Sequence, residues 1–392
     1  MNQAQEELTP APADFKEARR RRRRKKTIRR TSRFLILAII LAVVVLIGFV
    51  GYQLDWGSHF SSLIASLRPG SGYPVALDQN EVTQLIGMNG SVAVSASGSV
   101  SIYNTGGEMT GYFANSYSDP ISVYSGGKLL TYDLGGSGWM VTNKTKALHS
   151  QNAKGMLLGA TIGEKGYVAV SCRDSAYLSE VTVYNARYEQ MYIWDSADCY
   201  VNQLAISHNG TLLATGGILS SGGSLDSVVK IHDMTGSREE TGMTLPDSVI
   251  LSIVWTDKNQ LQVVTDRGVY LFGKEGTLVS SVTFTDAPVA LANSADGVIY
   301  IAAGDYRSSQ GVTITAYDSA LQPVGTTSLK MRILSLQYEK KHLYILAENE
   351  LLLSDPSLTE VIDRGRSGLQ MIAPYGNAYY GITNEGLLRE RL

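Results

Sequence analysis

Cysteine is scarce in this chain of 392 residues, which contains only Cys172 and Cys199. Two thiols cannot build the framework of several disulfides that stabilises small secreted domains, nor a cysteine-based metal cluster. One bridge could form if strands bring the two together, although two separate buried thiols are the more common arrangement. The sequence leaves their pairing open.

Histidine is also sparse, and the familiar catalytic motifs are missing. No two histidines have metal-ligand spacing, and the sequence contains neither a G-x-S-x-G nucleophile elbow nor a P-loop. We therefore predict a protein that is not an enzyme, with no catalytic, cofactor-binding or metal-binding residue and no cofactor. The five histidines are His59, His149, His208, His232 and His342.

Charge is absent from Phe34 to Leu54, a run of 21 residues. At ~1.5 Å rise per residue the run matches a hydrocarbon core of ~30 Å, so it predicts one transmembrane helix. Tyr52 and Trp56 lie at one end, where amphipathic rings favour the membrane interface. A cleaved signal peptide is the alternative, but its apolar core would be about 7–15 residues with a small-residue cleavage site after it.

Basic residues are concentrated before this segment. Residues 1–33 contain 12 Lys or Arg and 4 Asp or Glu, with an unbroken basic run from Arg19 to Lys26. The positive-inside rule then predicts a single-pass plasma-membrane protein with its N-terminus in the cytoplasm and its C-terminal part outside. The basic run also predicts attraction to anionic lipid headgroups. We expect residues 1–33 to be a largely disordered tail and residues 55–72 to be a stalk and linker.

The remaining chain is acidic and has the pattern of a β protein. Residues 55–392 contain 22 basic and 32 acidic residues, which argues against a nucleic-acid partner. From Tyr73 onward, short runs rich in Val, Ile, Tyr, Thr and Leu alternate with Gly, Asn, Asp and Ser turns, and helical periodicity disappears. The fold class predicted for residues 73–392 is therefore all-β.

The strands fall into groups of four, which predicts a β-propeller. The final stretch, 367–392, offers only three strands, and the run 73–78 supplies a strand without a group of its own. Pairing these termini closes the ring and gives eight blades of about 40 residues each; seven blades and two tandem sandwiches are the alternatives. The predicted units are 82–115, 119–152, 155–198, 200–247, 248–286, 289–330, 331–366, and 367–392 with 73–78.

One group carries a recognisable motif. The segment 205–217 (AISHNGTLLATGG) and the ending His232-Asp233 resemble WD40 repeats, in which the third strand ends in an aromatic residue followed by Asp. The same ending recurs as Tyr103-Asn104, Tyr184-Asn185 and Tyr317-Asp318, where the ring is expected to pack between sheets and the Asx side chain to start a tight turn.

The whole chain, with its basic tail, single span and degenerate propeller, resembles an uncharacterised family of membrane-anchored WD40-like proteins from Gram-positive bacteria. That resemblance implies fold and placement at the cell envelope, and it transfers no activity. The best-supported expectation is a non-catalytic binding or scaffold module whose partner is an envelope protein or glycan. An envelope polysaccharide hydrolase or lyase and a transmembrane sensor subunit are the alternatives.

Loop length gives one positional hint. Three connections between second and third strands, Arg173–Ser179, Ile218–Asp226 and Tyr306–Gly311, are longer than a two-residue hairpin needs. Because all three join equivalent strands, they should emerge on one face of the disc, where long loops often carry function. A flexible surface excursion is the alternative for the Ser- and Gly-rich segment at 218–226.

Overall fold

The computed structural model describes residues 41, 64–77, 82–221, 223–236, 240–284, 287–295, 297–304, 311–348 and 350–392. The chain divides into two compact units, Met1–Ser61 and Ser62–Leu392. Within the described residues no helix has the length and apolar character needed to span a bilayer. The predicted span 34–54, apart from Leu41, and the basic run Arg19–Lys26 lie outside the described residues, so both stay predictions.

The described part of the second unit contains 31 strands in eight antiparallel sheets. The first strands of the sheets are β1 (Val82–Met88), β5 (Pro120–Ser125), β9 (Leu157–Ile162), β13 (Tyr200–Ile206), β17 (Ile250–Trp255), β21 (Val289–Ala295), β25 (Ile333–Glu339) and β29 (Met371–Tyr375). The second strands are β2 (Ser91–Ala96), β6 (Lys128–Asp133), β10 (Val168–Cys172), β14 (Leu212–Ser221), β18 (Leu261–Thr265), β22 (Val298–Ala303), β26 (His342–Ala347) and β30 (Ala378–Thr383). The third strands are β3 (Ser99–Asn104), β7 (Gly138–Thr142), β11 (Ser179–Tyr184), β15 (Ser224–Asp233), β19 (Gly268–Phe272), β23 (Val312–Tyr317), β27 (Leu351–Ser354) and β31 (Gly386–Arg391). The fourth strands are β4 (Met109–Ala114), β8 (Ala147–Asn152), β12 (Gln190–Ser196), β16 (Thr241–Leu245), β20 (Leu278–Thr283), β24 (Pro323–Leu329) and β28 (Val361–Asp363).

Burial explains why the strands differ in sequence. All residues of β2 and β10 are buried, because middle strands are covered on both faces by neighbouring sheets. The fourth strand β20 alternates exposed and half-buried residues, as expected for a sheet edge in contact with solvent.

The sheets form a closed eight-blade propeller. Each pair of consecutive blades encloses one hydrophobic cluster, and the last of these joins blade 8 to blade 1 through Tyr380, Leu387, Leu85 and Val92. The prediction of eight blades is confirmed.

The ring closes through a short clasp at its outer edge. The Val75 N–H donates to the Leu387 carbonyl over 2.8 Å, and the Leu387 N–H donates back over 2.9 Å. The predicted pairing of the two termini is therefore confirmed, but it is an isolated bridge at Val75 and not a continuous strand over 73–78. Blade 8 gains its fourth-strand contact from the N-terminal side of the propeller.

The aromatic–Asx endings act as the sequence indicates. Tyr103, Tyr184, Tyr317 and His232 are all buried. The following Asx side chain accepts backbone N–H bonds within the next turn; Asp318 Oδ1, for example, accepts from Ala320 and Gln322 at 2.9 and 2.8 Å. These bonds stabilise the turn that leads into the fourth strand.

Both cysteines are buried free thiols. Cys172 belongs to the cluster between blades 2 and 3, whereas Cys199 belongs to the cluster between blades 3 and 4. They face different sheet interfaces, which decides the pairing that the sequence left open.

Alternating strand direction defines two faces of the disc. The upper face carries the connections between second and third strands and those from a fourth strand to the next blade. The lower face carries the other two sets of turns. The Asn104 side-chain amide, in a lower-face turn of blade 1, donates to the carbonyls of Ala65 and Arg68, both at 2.9 Å. Tyr73 and Gly72 bond the same turn, so residues 64–75, the neck, contact the propeller beside its lower face.

One glycine in a fourth strand gives a stability test of blade packing. A Cβ at Gly325 would lie 1.7 Å from the Ser357 carbonyl oxygen of the next blade, whereas one at Gly242 would meet Lys230 Cγ at 3.9 Å. We expect Gly325→Ala to cost about 2 kcal/mol or more of unfolding free energy through overpacking. Gly242→Ala, the matched control, should be neutral or stabilising by about 0.5 kcal/mol. Denaturant midpoints measure both, and equal midpoints for the two variants would contradict the close packing of blades 6 and 7.

Candidate functional site

The three long connections predicted on the upper face have different outcomes. Residues 173–178 form a loop, as predicted, whereas residues 305–310 lie outside the described residues. The prediction of a long loop at 218–226 is wrong, because these residues continue the two flanking strands and stay paired as far as Ser221 and Ser224. The connection predicted as a long loop, with a flexible excursion as the alternative, is therefore a β-hairpin whose strands stay paired to that point.

This hairpin projects from the upper face. Strands β14 and β15 contain 10 residues each, compared with 5 or 6 for most second and third strands. Four residue pairs extend beyond the Gly217–Val228 pair, which corresponds to a projection of about 13 Å at ~3.3 Å per residue. Cross-strand backbone pairing, absent from a flexible loop, stabilises the projection.

Six large apolar side chains are exposed on the upper face of blades 2 to 5. Large hydrophobic residues are usually buried, so a set of exposed ones in the turns and strand ends of one face is a candidate contact surface. The group, here called the apolar sector, consists of Leu134, Met156, Tyr177, Tyr200, Leu225 and Leu251, each between 38% and 52% exposed.

Backbone hydrogen bonds within blade 3 and between neighbouring blades hold this sector. The Gly135 N–H donates to Leu157 at 3.0 Å, and the Arg173 N–H donates to Met156 at 2.8 Å. The Ser248 N–H donates to Leu225 at 3.1 Å, which joins the projecting hairpin to the connection into blade 5. The sector is therefore preorganised, and binding to it would cost little ordering of the backbone.

Acidic side chains lie at the same upper edge of blades 2 to 5. Backbone N–H groups of Ala176 and Tyr177 hold the pKa of Asp174 below its usual value. Burial raises the pKa of Asp198, but hydrogen bonds and the charge of Lys230 outweigh that effect, so the net direction is downward. The described carboxylates at this edge of blades 2 to 5 that are not buried are Asp119, Asp174, Asp195, Asp198, Asp226, Asp247 and Asp266; Asp133 and Glu180 lie at the same edge but are buried.

A polar cluster below the sector joins blades 3 and 4. Lys230 Nζ lies 3.0 Å from Asp198, 3.1 Å from Glu240 and 4.9 Å from the centre of the Trp194 ring. Burial lowers the pKa of Lys230, but the hydrogen bonds and negative charges of Asp198 and Glu240 have the larger combined effect. The pKa is therefore raised overall, and the ammonium stays charged. An ion-paired ammonium with this raised pKa is a structural cation and not a nucleophile.

His232 belongs to the same interface and is 1% exposed. Its Nε2 lies 3.1 Å from Thr215 Oγ1, and its ring packs 4.5 Å from that of Trp194. Burial is the main cause that lowers the pKa of His232 to about 4. The negative charge of Glu240 raises this pKa, and the positive charge of Lys230 lowers it. The imidazole is therefore neutral and shielded from solvent at pH 7.

The other histidines do not converge on one place. His149 stacks on Tyr188 between blades 2 and 3, His208 bonds Glu164 and Trp255 in lower-face turns, and His342 begins β26. His59 lies outside the described residues. In the described part of the chain no three His, Cys, Asp or Glu side chains are grouped as metal ligands.

The first strands surround the propeller axis and contain few ionisable side chains. All eight first strands are described, and their single Asp or Glu is Glu339, with no His, Lys or Arg. Glu339 Oε1 accepts a 2.8 Å bond from the Gly376 N–H. A paired-carboxylate mechanism would need a second acid from outside these strands.

A separate open cavity of about 210 Å³ lies at the outer part of blade 7. Its walls mix both charges with apolar groups, and it lies outside the apolar sector. The lining includes Lys341, His342, Asp355, Glu360, Ile362 and Arg364.

The sequence placed the long connections on the face that also carries the apolar sector, but it did not predict the side chains of that sector. Three of these side chains could have been found from the sequence. Leu134, Met156 and Tyr177 are large apolar residues in connections where Gly, Ser, Asn and Asp are expected. Tyr200 and Leu251 could not be distinguished from core residues, because both lie within first strands. Leu251 is exposed through a bulge between Ile250 and Ser252.

Comparison with known proteins identifies family and fold. The model of a family of unknown function, DUF5711, matches residues 72–386. Two solved structures resemble the chain. The C-terminal WD40 domain of Sif2 has a TM-score of 0.57 and 10% sequence identity, and the match covers 81% of this chain and 98% of that domain. BamB from Moraxella catarrhalis has a TM-score of 0.53 and 9% identity, and the match covers 80% of this chain and 97% of BamB. At these identities the likeness concerns fold alone. No curated protein matches the chain.

Proposed function

Since the chain belongs to the DUF5711 family of unknown function, we propose a role from its residues: a membrane-tethered, extracytoplasmic binding module that uses its upper face. The observation that carries the proposal is the preorganised apolar sector, whose exposed side chains stand on hydrogen-bonded turns. Rigid presentation of apolar groups is the usual design of a protein-binding surface.

The neck supports the tether part of the proposal. The uncharged run Phe34–Leu54 ends ten residues before Ile64, where the described neck begins. The neck contacts the lower-face turn at Asn104, so the chain reaches the propeller beside that face.

The sparse ionisable chemistry of the first strands favours binding over catalysis. Glycoside hydrolysis requires two carboxylates at defined separation, and Glu339 alone stands on the strands nearest the axis. The polysaccharide hydrolase or lyase and the sensor subunit remain alternatives to be separated by experiment.

Site-directed photocrosslinking in intact cells tests the proposal. A photoreactive residue at Leu225, on the upper face, should give a discrete adduct, whereas one at Leu278, on the outer strand β20, should not. The two positions are similarly exposed, at 52% and 57%, so accessibility is matched. A membrane-impermeant amine reagent should label the propeller in unbroken cells, and deletion of 34–54 should release it from the membrane fraction.

Two results would contradict the proposal separately. Equal adducts at Leu225 and Leu278 would remove the upper face as the binding surface. Labelling of the propeller only after cell lysis would remove its extracytoplasmic placement.

A further inference from the structure

The upper face is chemically uneven. Around the apolar sector, the described upper-face residues of blades 2 to 5 include seven aspartates and three cations, Lys154, Arg173 and Arg267. The described upper-face residues of blades 6 to 8 have balanced charge, with cations Lys330, Arg332, Arg364 and Arg366 and acids Glu348, Glu350, Asp363 and Glu385. The acidic charge is therefore concentrated where the exposed apolar groups are.

Several of these aspartates keep their charge available to a ligand. Asp119, Asp195 and Asp247 are exposed and have no ion pair with another described residue. Asp198 is paired with Lys230, and Asp266 lies 3.9 Å from Arg267. Unpaired carboxylates beside apolar surface attract cations and strengthen the local field where water is excluded.

The apolar members suit the same ligand. Tyr177 and Tyr200 are 45% and 41% exposed, and aromatic rings attract ammonium and guanidinium groups, while the exposed Leu134, Met156 and Leu225 can contact aliphatic side chains. Lys and Arg side chains combine an apolar stem with a charged end, so they can contact both parts of this surface. A neutral glycan would use the apolar rings but would leave the aspartates without counter-charges.

We propose that the upper face of blades 2 to 5 binds a polypeptide segment bearing Lys or Arg together with apolar anchor residues. The proposal rests on the binding function above and specifies its ligand class. Charge complementarity with the aspartates selects the segment and speeds association, and the apolar sector holds it. The projecting hairpin forms one wall through Leu225.

Binding of synthetic peptides to the full-length protein in zwitterionic nanodiscs tests the ligand class. The probe is a short fluorescent peptide of Lys, Leu and Ser; two matched peptides replace every Lys by Glu or every Leu by Ser. Fluorescence anisotropy, corrected with empty nanodiscs, should detect the Lys–Leu–Ser peptide and not its Glu counterpart. Raising the salt from ~50 to ~200 mM should weaken binding several-fold, since exposed charges are screened.

Variants locate the site. The pair Asp195→Asn and Asp247→Asn should weaken the Lys–Leu–Ser peptide about five- to tenfold, and the pair Met156→Ser and Leu225→Ser about tenfold or more. Matched controls carry the same chemistry elsewhere: Asp257→Asn with Glu275→Gln in lower-face turns, and Leu278→Ser with Val279→Ser on β20. The controls should bind as the wild type does, and circular dichroism should confirm that every variant is folded.

Other occupants give distinguishable results. Equal binding of the Glu peptide, equal loss in the controls, or no peptide binding would overturn the cationic class. Binding of purified cell-wall polysaccharide that depends on Tyr177 and Tyr200, or self-association that depends on Leu225, would identify a glycan or a second copy instead. In each of these cases a specific photocrosslink at Leu225 would still support the binding function, whereas its loss would remove that function itself.

Discussion

Replacing Gly386 by alanine is expected to open the propeller ring. A Cβ at this position would lie 2.2 Å from the Val75 carbonyl oxygen, and the backbone φ of +125° is unfavourable for any L side chain. The substitution would therefore break the clasp between Val75 and Leu387, with loss of two backbone hydrogen bonds worth about 1 kcal/mol each. With the backbone strain and lost burial between blades 8 and 1, we expect about 4 kcal/mol of destabilisation.

A matched control isolates the clasp from the conformational cost of alanine. Gly127 also has a positive φ, +79°, but a Cβ added there would have no other atom within 4 Å. Gly127→Ala should therefore cost only about 1–2 kcal/mol. Urea unfolding of the full-length chain, followed by tryptophan fluorescence, compares the two, and a similar midpoint for both would show that the clasp contributes little.

Acidification is expected to destabilise the interface between blades 3 and 4 through His232. Its pKa in the folded protein, about 4, lies below the ordinary value of 6.5 because the ring is buried. Between these two pH values the unfolded chain binds the proton more tightly than the folded protein does. The stability that the neutral, buried His232 contributes is therefore complete above pH ~6.5 and is lost as the pH falls toward ~4. A difference of about 2.5 pKa units corresponds to about 3 kcal/mol.

The variant His232→Gln tests this linkage. Glutamine keeps a hydrogen-bonding group near Thr215 Oγ1 but does not titrate, so the variant should lose less stability than the wild type between pH 7 and pH 4.5. Urea midpoints at the two pH values measure the difference, and an NMR titration of the imidazole measures the pKa directly. Parallel losses in wild type and variant would assign the acid sensitivity to other groups.

Much of the propeller followed from short-range patterns in the sequence. Four-strand periodicity, the recurring aromatic–Asx endings and the strand at 73–78 predicted eight blades and the joining of the two termini, because turn chemistry and strand alternation depend on neighbouring residues. The extent of the clasp was not predictable, since pairing at Val75 alone depends on the position of β31.

The segment 218–226 shows where local reasoning fails. Its Ser and Gly content is typical of a flexible loop, yet the register carried by Leu212–Gly217 continues to the hairpin end. Strand pairing over the whole length of β14 and β15 thus had a larger effect than local composition. The sequence could not indicate that a paired hairpin projects from the upper face.

By itself the sequence determined the all-β class, the repeat of four strands, the Asx turns and the strong charge division between residues 1–33 and 55–392. Each of these depends on composition or on spacing along the chain. The tertiary structure alone decided that Cys172 and Cys199 face different interfaces and that His232 is buried beside Thr215. It also placed the exposed apolar residues of four blades on the same face as the aspartates, because that arrangement arises only when consecutive sheets pack face to face around the ring.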